Sequence, residues 1–185
     1  QNKGALEKIK RVVGASAGAI NAFLFSLGLT TEQVLDEMLE LNFQNLLDDS
    51  FGVIRDTNRL VKRFGWYKGD YFEKWCSVML RKYTNWKKND ISFNEFNKIA
   101  RCQLFVIGAN ISTGEEEIYS VVHTGNMSVI KAVRISMSIP LFFAAVRGRR
   151  SNPKNKRGDV LVDGGLLNNY PLGTFDHQRY LFNRR

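Results

Sequence analysis

A chain of 185 residues, 44% apolar and 24% charged, is about one domain long and can bury a core of its own, which excludes disorder and fibrous repeats. Its 27 Lys and Arg against 18 Asp and Glu give a formal net charge of +9. That balance suits an anionic partner, either nucleic acid or a phospholipid surface.

The first residues, "QNKGALEKIK", carry no initiator Met and no charged-then-apolar signal pattern. The expectation is a single domain over residues 1–185, incomplete at its N-terminus and truncated at its C-terminus. Residues 9–13 read as a short strand and 17–27 as the helix behind it, closed by Gly28. Thr30 with Gln33 three residues on is a capping box, and the helix after it is apolar at Leu35, Met38, Leu39, Phe43, Leu46 and Leu47. "GDYFEKWCSVMLRKY" repeats the helical period at Phe72, Trp75, Cys76, Met79 and Tyr83, and Ser92 with Glu95 starts another capped helix. "CQLFVIGANISTGEEEIYS" reads as two strands joined by a turn at 112–114. Residues 128–137 follow as a helix that Pro140 ends, and "DVLVDGG" is a buried strand running into a glycine turn. Strands alternating with helices predict an α/β layered domain. The longest apolar stretches, around residues 17–29 and 137–146, fall short of the roughly 20 residues a membrane-crossing helix needs. Cys76 and Cys102 show no metal spacing and no disulfide framework, so they read as small buried hydrophobes.

Two short motifs carry chemistry. In "RVVGASAGAINAF" the serine Ser16 stands between Gly14 and Gly18, with Ala15 and Ala17 beside it, at a strand-to-helix junction. Either the glycines let the helix pack close to the strand, or the turn holds Ser16 out as a nucleophile. A G-x-S-x-G elbow needs small neighbours where the backbone reverses, and the helix N-terminus behind it offers free N–H groups to a developing oxyanion. In "LVDGGLLNNYP", Asp163 ends an apolar strand, where α/β sheets place ligand-facing groups, and Gly164 and Gly165 let the chain turn away from the carboxylate. The same triplet is also a plain turn signal.

Taken together, "VVGASAGAINA", "GANISTGEEEIYS", "SMSIPLFFAAV" and "DGGLLNNYPL" resemble the patatin-like phospholipases, in this order and over most of the chain. The resemblance implies a three-layer α/β/α sandwich around a mainly parallel sheet. It also implies lipid acyl hydrolysis by a Ser–Asp dyad, here Ser16 and Asp163, with Gly14, Ala17 and Gly18 at the elbow and no metal or cofactor. One family element is missing. The glycine-rich loop that forms the oxyanion hole upstream of the serine has no counterpart in "NKGALEK", which holds only Gly4. That keeps a second class open: a catalytically impaired module of this fold serving as a basic lipid- or protein-binding scaffold.

His123 reads as an ordinary loop histidine. His177 follows Ser16 and Asp163 in the chain order of a hydrolase triad but lies beyond the matching segments. The segment "RGRRSNPKNKRG", residues 147–158, has six basic residues and no acid. Arg147, Arg149, Arg150, Lys154, Lys156 and Arg157 are candidates for contact with an anionic membrane, where each could contribute about 1 kcal/mol. A solvated surface loop is the plainer alternative. No nucleic-acid motif accompanies these residues, and Trp66, Trp75 and Trp86 fit helix packing better than base stacking. The expected partner is therefore a phospholipid surface, with a protein activator left open. The compartment is equally open: cytoplasmic, peripheral to a membrane, or inside a host cell after delivery.

Overall fold

The computed structural model describes residues 3–41, 65–67, 69–148, 158–176 and 180. A single turn of helix, α1 (Lys3–Leu6), leads into β1 (Arg11–Ala15), the Ser16 turn, α2 (Ala17–Ser26) and α3 (Thr31–Glu40). The short β2 (Gly65–Tyr67) and helices α4 (Asp70–Tyr83) and α5 (Phe93–Ile99) follow. Then come the hairpin β3 (Gln103–Asn110) and β4 (Glu115–Ser120), α6 (Val121–Thr124) and α7 (Val129–Ser136). The chain continues through β5 (Leu141–Phe143), β6 (Val146–Arg147), β7 (Val160–Asp163), α8 (Gly165–Asn168) and a 3₁₀ turn, Leu172–Phe175.

The α/β layering read from the sequence is present, and the sheet is mixed. Five strands join with β3 at the centre. Its pairing with β1 is parallel, while β3–β4, β3–β7 and β6–β7 are antiparallel. The expectation of a mainly parallel sheet thus holds, among the described residues, for β1 with β3 and for the separate β2–β5 pair. The antiparallel share comes from the tight β3–β4 hairpin, whose Gly114 takes φ 78°, and from the direction in which β7 enters the sheet. Along β3 the pleat sorts the faces. Leu104 and Val106 join the main core with Ile20, Phe23 and Leu24 of α2, Phe72 and Met79 of α4, and Ile130 and Val133 of α7. Phe105, on the opposite face, meets Phe175 and Tyr180 edge-on, at ring separations of 5.0 and 5.6 Å.

The helix-start signals were accurate. Thr30 and Ser92 each accept a backbone N–H three residues on, and Gln33 and Glu95 return the bond. Phe72, Trp75, Cys76 and Met79 are buried as their spacing predicts. The face that α3 buries differs from the one its apolar spacing predicts. Leu35 and Leu39 are exposed, 58% and 75%, whereas Glu37 is buried. The cause is polar: Lys82 Nζ, at 2.6 Å, and the Tyr83 hydroxyl both donate to Glu37 Oε1, drawing α3 onto α4 by its acidic side. Phe43, Leu46 and Leu47 lie outside the described residues. Both cysteines are buried and free, as expected of small buried hydrophobes, and burial pushes both thiols above their ordinary pKa. Among the described residues no helix is long and apolar enough to cross a membrane.

Candidate active site

Strand β3 brings the two sequence motifs together. Because β4 occupies one of its edges over Phe105–Asn110, β1 and β7 must share the other. β1 runs along that edge until Ala15 stands opposite Ile107. β7 arrives from the other end and stops with Asp163 opposite Gly108. The two strands therefore end head to head at adjacent residues of β3. Ser16 and Asp163, 147 positions apart in the sequence, leave those ends side by side.

Ser16 is the only non-glycine residue with positive φ among the described residues, at φ 53° and ψ −131°. Such a backbone costs about 1–3 kcal/mol and persists only where its surroundings hold it. Gly14 makes it feasible: a Cβ there would sit 2.1 Å from the Gly18 carbonyl oxygen, so α2 can start this close to β1 only over a glycine. At Gly18 a Cβ would meet nothing within 4 Å. The first glycine of the elbow is thus steric necessity, and the second borders open space. The Ser16 N–H donates to Ser136 Oγ at 3.0 Å, and that hydroxyl donates to the Ile107 carbonyl at 2.6 Å.

Asp163 is 4% exposed. Its Oδ1 accepts the Gly165 N–H at 2.6 Å, and its own N–H donates to the Ser138 carbonyl at 3.0 Å. In the Asp-Gly-Gly turn Gly164 is sterically required by backbone, and Gly165 is crowded by side-chain atoms. A Cβ on Gly164 would meet the Ile107 carbonyl oxygen at 2.3 Å, and one on Gly165 would meet Asp163 Oδ1 at 2.9 Å. Oδ2 is buried and makes no hydrogen bond of normal geometry. Burial pushes the carboxyl above the ordinary aspartate pKa, while the nearby Ser16 hydroxyl and the Gly165 N–H act against the rise. Burial thus makes the Asp163 carboxylate more basic than a solvated one, and its Oδ2 stands near the Ser16 hydroxyl without a hydrogen bond of normal geometry to any group.

Ser16 lines a cavity of about 530 Å³ together with Gly14, Ala17, Gly18, Tyr170, Leu172 and Phe175. The walls are apolar, and the rim residues Tyr170 and Leu172 are 77% and 71% exposed. The volume falls within the range of small-molecule sites. A family model for patatin-like phospholipase matches residues 2–176. The chain belongs to the patatin-like phospholipase family. A relative in Acanthamoeba polyphaga mimivirus, called uncharacterized, is 29% identical over 168 residues, covering 91% of this chain and 51% of its own length. A protein of Invertebrate iridescent virus 6 named as a probable lipid hydrolase is 25% identical over 168 residues, covering 90% of this chain and 53% of its own. The chain thus spans about half the length of the curated relatives it matches. The crystal structure of VipD from Legionella pneumophila matches 92% of this chain and 43% of its own with a TM-score of 0.60. At 17% identity that likeness concerns the patatin fold alone.

The remaining site expectations divide. Arg147 is described, and its guanidinium donates to the Gly158 carbonyl at 3.2 Å, across the base of the basic segment. Arg149, Arg150, Lys154, Lys156, Arg157 and His177 lie outside the described residues. His123 sits on α6, with Nδ1 2.8 Å from Ser120 Oγ, as a local cap contact. Trp75 stacks on Phe72 and Trp86 packs against the main core. Sequence reasoning missed the cavity wall from Tyr170 to Phe175, and it missed Ser136 and Ser138. Their signal was present in "SMSIP", but nothing local told which groups the two serines would hold.

Proposed function

We propose that this protein is a serine-dependent phospholipase A, cleaving an acyl ester of a glycerophospholipid through a Ser16–Asp163 dyad. The observation that carries this reading is the juxtaposition at β3: a strained, cavity-facing serine next to a buried aspartate whose carboxyl its hydroxyl influences. Asp163 takes the Ser16 hydroxyl proton as Oγ attacks the ester carbonyl carbon, giving a tetrahedral oxyanion. The Ala17 and Gly18 N–H groups, in the first turn of α2 and lacking intrahelical partners, supply donors and the positive end of the helix dipole. Collapse breaks the ester bond; the departing lysophospholipid alcohol takes the proton from Asp163, leaving Ser16 acylated. Water, deprotonated by Asp163, then attacks the acyl carbonyl; as this second intermediate collapses, the bond to Ser16 Oγ breaks, Oγ takes the proton back from Asp163, and a fatty acid is released. The chemistry draws only on these side chains, backbone donors and water.

The partner surface is an anionic phospholipid membrane. The net charge of +9 and the six basic residues between positions 147 and 158 support it, as does the exposed apolar rim at the cavity mouth. The test is fatty-acid release from phospholipid vesicles by the full-length protein and by its Ser16→Ala and Asp163→Asn variants. Release by wild type that both substitutions abolish is the expected result. Wild-type turnover in Ser16→Ala would reduce the serine to a packing residue. Vesicle binding without release by any variant would favour the scaffold reading.

A further inference from the structure

We infer that the segment Arg134–Ser138 is the positioning device of the dyad, with Ser136 and Ser138 fixing the two halves relative to each other. This rests on the Ser16–Asp163 reading. Strand pairing brings Ser16 and Asp163 to neighbouring points of β3, but β1 and β7 pair with β3 and not with each other along that edge. The C-terminal end of α7 bridges the junction. Ser136 Oγ accepts the N–H of Ser16 and donates to the Ile107 carbonyl, tying the strained elbow to the strand residue at the junction. Two residues on, the Ser138 carbonyl accepts the N–H of Asp163. One short stretch of chain, by a side-chain hydroxyl at Ser136 and a backbone carbonyl at Ser138, therefore grips the main chain of both residues.

The grip is itself anchored. Arg134 is 2% exposed; its guanidinium donates to Ser138 Oγ at 2.6 Å and to the Ala144 carbonyl at 3.0 Å, and lies 5.1 Å from the centroid of the Phe143 ring. Ser138 Oγ in turn donates to the Arg134 carbonyl at 2.9 Å. Gly69 makes room for the guanidinium, since a Cβ there would lie 2.1 Å from Nε. Ser136 and Ser138 are fully buried, so neither can touch a substrate in the cavity. They act through Ser16 and Asp163. Misplacing a reacting group by about 1 Å costs on the order of 100-fold in rate, so loosening this bracket should show in turnover.

The experiment measures kcat and KM of the full-length protein on a soluble short-chain ester, with thermal midpoints, for wild type, Ser16→Ala, Ser136→Ala and Ser136→Cys. Ser136→Ala, assayed below its melting temperature, is expected to lose roughly 10- to 100-fold in kcat with KM changed less than about twofold. Ser136→Cys, slightly larger than serine but keeping a weak donor and acceptor at the same position, is expected to fall between it and wild type. If Ser136→Ala does not fold, the cysteine variant alone decides, by the same split. A folded variant with a lower melting temperature and unchanged kcat would overturn the inference, reducing Ser136 to a structural residue while the dyad stands. Full activity in Ser16→Ala would instead remove the dyad, and the positioning role with it.

Discussion

At φ 53° the Ser16 backbone occupies a region that a side chain rarely enters, and two residues around it accommodate that geometry: a glycine at 14 and a donor–acceptor hydroxyl at 136. The Asp163 carboxylate makes the sharpest residue-scale predictions. Burial, opposed by the Ser16 hydroxyl and the Gly165 N–H, raises the Asp163 pKa above 3.8, so the folded state holds this proton more tightly than the unfolded chain. Its contribution to stability is therefore full at pH below the ordinary aspartate value and is lost as pH rises through the raised value. Activity runs the opposite way, because only the ionised form accepts the serine proton. Asp163→Asn is expected to cost about 10³-fold or more in turnover, comparable to Ser16→Ala, since the two act as a unit. It should leave the melting temperature at neutral pH equal or higher, because a buried charge is gone. A large fall in that temperature would mean the carboxylate is a structural anchor. His177→Ala should change turnover little; a collapse, with a pH profile following imidazole near 6.5, would replace the dyad with a triad.

Helices and strands were readable where local chemistry sets them. Capping boxes at Thr30 and Ser92, the apolar period of α4 and the glycine turn after β7 all follow from interactions within a few residues of sequence. What was not readable depends on distant partners. Leu35 and Leu39 face outward because Lys82 and Tyr83, more than forty residues on, hold Glu37 inward. The direction of β7 and the bracket at the end of α7 likewise become visible only when β3 places them. The elbow offers an element-scale test through its two glycines, which look equivalent in the sequence. Gly14→Ala forces a Cβ into the α2 backbone and is expected to destabilise the protein by roughly 1–3 kcal/mol or more. Gly18→Ala projects into open space on a helix, where alanine is favoured by up to about 1 kcal/mol, so stability should hold or rise. Chemical denaturation of the two variants checks this; equal losses would contradict the tight β1–α2 approach.

For the molecule as a whole, the site was legible as two motifs and the fold as a resemblance, and the structure supplies the relation between them. Charge gives the whole-molecule prediction. Binding to vesicles should strengthen with anionic lipid and weaken as salt screens it. Neutralising Arg149, Arg150, Lys154 and Lys156 together should remove most of that dependence; unchanged binding would make the segment a solvated loop. The central claim is that one serine is activated by its setting, and a fluorophosphonate probe reads this without knowledge of the substrate. The full-length protein is treated with the probe and the modified residue located by peptide mass spectrometry. Labelling at Ser16, lost or strongly slowed in Asp163→Asn, is the expected outcome. Absence of labelling, or labelling of another residue that Asp163→Asn leaves untouched, would contradict it.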